Sequence, residues 1–112
     1  MVLYNGSENA KRALDAAARV ASRRSGSIYV VFVGEGQQQI SSWKTEVGTQ
    51  LTKLPIHIRY QQIKRVNSED LCQLAQEDNS ELLVLYGDEG LLDRLDHGHF
   101  LQRVHCPVLY VR

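Results

Sequence analysis

Ile28-Tyr29-Val30-Val31-Phe32-Val33 decides the fold. Six apolar residues in a row, three of them β-branched valine, read as a strand with no wet face. A strand buried on both sides belongs to a parallel sheet covered by helices. Gly34-Glu35-Gly36 ends the run. On its N-terminal side, Gly26 closes a helix as a C-cap would. That helix carries Ala10, Ala13, Leu14, Ala17, Val20 and Ala21 at helical spacing, with Arg19, Arg23 and Arg24 at its negative end. Ser7 is placed to cap it, and Glu8 suits its first turn. Before it, Val2-Leu3-Tyr4 is a short buried strand broken by Asn5-Gly6-Ser7.

Beyond Gly36 the segment from Gln37 to Leu54 carries Ile40, Trp43, Val47, Leu51 and Leu54 along one helical stripe. Trp43 and this stripe are expected to cover the sheet. Pro55 restarts the chain. Ile56, Ile58 and Tyr60 then alternate with His57 and Arg59, which predicts an edge strand with one wetter face. Ser68-Glu69-Asp70 opens a third helix whose buried side holds Leu71, Cys72, Leu74 and Ala75, and Asp78-Asn79-Ser80 stops it. Leu82 to Tyr86 is a second apolar strand, ended by Gly87-Asp88-Glu89-Gly90. A short irregular helical stretch precedes a last strand, Val108 to Val111. The order β-α-β-α-β-α-β-α-β predicts an open parallel α/β sheet with helices on both faces.

The 112 residues fit one domain, residues 1–112, with no repeat or linker. Lys plus Arg and Asp plus Glu both number 13, so the formal net charge is zero and no overall nucleic-acid footprint exists. No apolar run approaches the roughly 20 residues that span a bilayer. The start lacks a charged-then-apolar leader pattern, so a cytoplasmic location is expected. Cys72 and Cys106 fit a reducing compartment as unpaired, buried thiols.

Ligands of open parallel sheets bind beyond the carboxyl ends of the strands, where strand order reverses. If the first strand lies beside the fourth, Asn5-Gly6-Ser7 lines one wall and Gly87 to Gly90 the other, with Val33 and Gly34 nearby. Glycines there let backbone N–H groups approach a phosphate. The competing reading is that Gly6, Gly87 and Gly90 simply make tight turns.

The chain resembles a universal stress protein domain. The resemblance rests on Val2-Leu3-Tyr4-Asn5-Gly6-Ser7-Glu8-Asn9-Ala10 with Ala13-Leu14, on Leu83-Val84-Leu85-Tyr86-Gly87 through Gly90, and on Cys106-Pro107-Val108-Leu109. It implies a five-stranded parallel sheet in order 3-2-1-4-5. It also implies homodimers that pair last strands, here Val108, Leu109, Tyr110 and Val111. Some members bind ATP through an acidic residue after the first strand. They add a glycine motif after the fourth: Gly, two residues, Gly, nine residues, Gly, then Ser or Thr. Here the acidic position is Asn5, and Gly87 and Gly90 match the first half. The second half falls on Phe100-Leu101, and the nearest substitute is Gly98-His99. The segment between the second and third strands is also short for the family. The nucleotide site so implied is Asn5, Gly6, Ser7, Val33, Gly87, Gly90, Gly98 and His99, in degenerate form.

Other chemistry is thin. His97, His99, His105 and Cys106 lie within ten residues, with Asp93 and Asp96 near, and these are zinc or nickel ligand types. The His-Gly-His spacing matches no structural zinc motif, and incidental loop histidines explain it equally. Ser7 and Cys72 lack a His or Asp at catalytic spacing. Arg23-Arg24 and Lys64-Arg65 are short basic pairs suited to solvated faces. The leading expectation is a non-enzymatic stress-response protein acting through protein partners, with no cofactor. The alternatives are an ATP or AMP binder using a shortened loop, and a small metal-binding α/β protein.

Overall fold

The computed structural model describes residues 1–23, 26–87, 89–95 and 97–111. The elements are β1 (Val2–Tyr4), α1 (Glu8–Arg23), β2 (Ser27–Val33), α2 (Gln37–Leu51), β3 (His57–Ile63), α3 (Ser68–Asp78), β4 (Leu83–Tyr86), α4 (Glu89–Leu95), α5 (His97–Arg103) and β5 (Val108–Val111). They form a five-stranded sheet in order β3-β2-β1-β4-β5, and every pairing is parallel. This is the architecture expected from the alternating pattern.

β1 is only three residues long, yet Val2, Leu3 and Tyr4 are all fully buried. It pairs with β2 through Val2↔Val30, Leu3↔Val31 and Tyr4↔Phe32, and with β4 through Val2↔Val84. Two leftward steps from β1 to β3, then two rightward ones, place α1 and α2 on one face when the crossovers are right-handed. α3, α4 and α5 then fall on the other. Contacts agree with this. Gln50 of α2 donates to the Lys11 carbonyl of α1 at 3.1 Å, and Arg103 of α5 pairs with Glu69 of α3 at 3.7 Å.

Local chemistry explains most boundaries. Ser7 Oγ accepts from the Ala10 N–H at 3.1 Å, capping α1 as expected. Gly26 N–H returns to the Ala21 carbonyl at 2.9 Å. Asn67 caps α3, accepting from Glu69 and Asp70, and Asn79 ends it in the left-handed region at φ 56. α2 stops at Leu51 rather than running to Leu54, because the residue before Pro55 is disfavoured in helical conformation. Leu54 instead remains partly buried against the core. The irregular stretch after β4 resolves into α4 and α5. β3 alternates exposed and half-buried residues, as an edge strand should. No described helix is long and apolar enough to cross a membrane.

Candidate functional site

The β1–α1 and β4–α4 turns meet at the carboxyl rim. Asn9 Nδ2 donates to the Gly87 carbonyl at 2.6 Å, tying the two together across the switch point. Asn5 Oδ1 accepts the Ser7 N–H at 3.1 Å, so this side chain shapes its own turn. Gly6 follows at φ +81, a conformation that side chains rarely tolerate. Val33 and Gly34 are half-buried at the end of β2, and Gly34 is bracketed by β3: its N–H reaches Ile63 O at 3.0 Å, and its carbonyl accepts from Gln62 at 3.1 Å.

Trp43, from the first half of α2, lies over both glycines. A Cβ on Gly6 would stand 2.4 Å from Trp43 Nε1, and one on Gly34 would stand 3.2 Å from the far ring carbons. The indole therefore fills the space against the ends of β1 and β2. It is 8% exposed. Edge-on contact with Tyr4 at 6.0 Å between centroids and a tilted contact with Phe32 at 6.1 Å hold it there. Phe32 stacks on Tyr60 at 5.6 Å, extending the cluster to β3. Tyr4 Oη also bonds Glu46 of α2 at 3.1 Å. Burial, then the Glu46 hydrogen bond and charge, push the Tyr4 hydroxyl well above the ordinary tyrosine range.

Of the residues expected to hold a nucleotide, Asn5, Gly6, Ser7, Val33 and Gly87 gather at this rim. Gly90 sits in the first turn of α4. Gly98 and His99 fall in the first turn of α5, and their burial and surroundings lie outside what is described. The same holds for His97 and Asp93, and Asp96 is not described at all. His105 Nε2 lies 3.1 Å from the Ser80 carbonyl, and Cys106 is buried beside β5. Among the described residues no group of three or more His, Cys, Asp or Glu is arranged for a metal ion. Both cysteines are free thiols; burial raises the Cys72 and Cys106 thiols, and Arg103 partly offsets this at Cys72.

Sequence reasoning missed two features. It placed Trp43 on the sheet without seeing that the indole reaches the rim. The signal was present as small residues at the ends of two adjacent strands with a large aromatic shortly after. It also read Lys64-Arg65 as a pair on a solvated face, and both are exposed, but it did not see what they border. In the structure these residues line a cleft of about 580 Å³ with Glu35, Val66 and Arg94. A second cleft of about 360 Å³ opens at the opposite, amino end of the sheet, among Ala17, Val20, Ile28, Asp78 and Leu82.

An open parallel α/β layer whose strand order reverses between β1 and β4 belongs to the class of folds that take ligands in the crevice beyond the carboxyl ends of the strands. More narrowly, the fold is that of the universal stress proteins, shared over nearly the whole chain. A universal stress protein in complex with cAMP is similar at 23% identity and TM-score 0.76, covering 99% of this chain and 94% of that one. The universal stress protein from Archaeoglobus fulgidus in complex with dAMP is similar at 17% identity and TM-score 0.68, covering 99% and 95%. A protein from the universal stress protein family of Burkholderia pseudomallei is similar at 23% identity and TM-score 0.63, covering 97% and 92%. No family model matches the chain, and no curated protein matches it in sequence.

Proposed function

We propose that this chain is a non-enzymatic, cytoplasmic regulatory protein of the universal stress type, dimeric through β5, in which Trp43 closes the nucleotide crevice. The observation that carries this reading is the indole lying on Gly6 and Gly34, where the backbone would otherwise be open to a base or ribose. Asn5 adds to it, being uncharged and committed to its turn. Ser7 is engaged as a helix cap, and the raised thiols of Cys72 and Cys106 are poor nucleophiles near neutral pH. Function then comes from protein partners.

The test is calorimetric titration of the full chain with ATP, AMP and cAMP. No saturable binding below about 1 mM is expected, which corresponds to less than about 4 kcal/mol of binding free energy. Micromolar affinity for any of the three overturns the closed-crevice reading. The second reading, a nucleotide-binding protein, is favoured by the two similar structures described as complexes with cAMP and dAMP. It requires the indole to swing aside.

A further inference from the structure

We propose that the cleft between the β2–α2 loop, the β3–α3 loop and α4 binds a compact phosphate-bearing polyanion through Lys64, Arg65 and Arg94. It is a different site from the crevice under Trp43. Its three cations come from two segments far apart in sequence, and only the fold brings them to one opening with Val66 as a buried wall. Against them stands one carboxylate, Glu35. Three cations against one anion leave an excess of two positive charges in a chain whose formal net charge is zero.

Four cations elsewhere in the fold are matched by carboxylates. Lys11 pairs with Glu8, Arg19 with Asp15, Arg59 with Asp78 and Arg103 with Glu69. Among the described residues, none of these ion pairs involves Lys64, Arg65 or Arg94. Glu69, the acid a few residues on from Arg65, is taken by Arg103. Like charges converging without a partner repel, and an anion bound between them relieves that repulsion.

Guanidinium forks match phosphate oxygens in a bidentate way, and an ammonium adds a compact third charge. The volume, about 580 Å³, exceeds what one phosphate needs and suits a diphosphate or a small phosphorylated molecule. The cleft opens at the carboxyl ends of β2 and β3, the end where parallel sheets take their ligands. Glu35 opposes the anion and is placed to accept from a hydroxyl on a ligand that carries one.

The experiment is titration of the full chain with inorganic pyrophosphate, and with citrate and AMP as separate arms. Pyrophosphate is expected to bind with a dissociation constant below about 1 mM in low salt, weakening as salt screens the charges. Arg94→Ala and Arg65→Ala are each expected to weaken it about tenfold, as for loss of a charge-assisted hydrogen bond. Glu35→Gln is expected to tighten it several-fold. All three side chains are exposed, so thermal melts should match the parent. AMP, with one phosphate, is expected to bind more weakly. The proposal is overturned by absence of pyrophosphate binding, by affinity indifferent to Arg94→Ala, or by equal binding of citrate. Trp43→Ala separates this site from the crevice: it is expected to leave pyrophosphate affinity unchanged, whatever it does to nucleotides.

Discussion

Gly6 is constrained twice, by backbone conformation and by the indole above it. Gly6→Ala is therefore expected to destabilise the protein by more than about 2 kcal/mol, combining strain at positive φ with displacement of a packed ring. Gly48 is the internal control. It lies in α2 with open space where its Cβ would stand, so Gly48→Ala is expected to stabilise by about 0.5–1 kcal/mol. Urea unfolding of both variants checks the pair; a neutral Gly6→Ala would remove Trp43 from the rim. Tyr4 supplies the pH dependence. Its folded hydroxyl titrates above the ordinary value of 10.0, so the folded state holds the proton longer than the unfolded chain. Stability from this group is complete below pH 10 and falls as pH rises beyond it. Melts between pH 8 and 11 should show that decline, and Tyr4→Phe should flatten it. Neither residue's role was legible in the sequence. Spacing located the turn at Asn5-Gly6-Ser7, but which side chain fills the space above a turn is decided by helix placement.

Most elements were legible because burial leaves a direct trace. The runs Ile28–Val33 and Leu83–Tyr86 have no wet face, and both proved central or covered. The alternation in Ile56–Tyr60 marked an edge. Asn67 and Asn79, as the caps of α3, were less visible, since the neighbouring Ser68 and Asp78 have similar chemistry. β5 is the other edge, paired with β4 along one side only, with Leu109 40% exposed. An apolar edge strand invites pairing with a second copy. Sedimentation at tens of micromolar is expected to show a dimer for the parent and a monomer for Leu109→Lys. A parent that stays monomeric ends the β5 seam.

Across the whole molecule, the likeness to universal stress proteins survives at 17–23% identity because it lives in the order of buried runs and turns. Asn5 stands where the resemblance implies an acidic residue, and Phe100-Leu101 where it implies the second half of the glycine motif. One core joins both faces, and the sheet's two halves meet only at the three residues of β1. Val31→Asp therefore acts globally. It buries an unpaired charge in β2, a penalty comparable to the roughly 5–15 kcal/mol that holds a small domain together. Loss of cooperative melting by circular dichroism is expected; a melt near that of the parent would show that Val31 is not inside.

Trp43 is the sole tryptophan of the chain. Its indole packs on Gly6 and Gly34 at the carboxyl rim of the sheet, so the protein carries a built-in fluorophore there. While the ring stays beneath α2, its emission should be blue-shifted and fed by energy transfer from Tyr4 and Tyr60. Any partner or ligand that lifts α2 would move the spectrum to the red without a label attached.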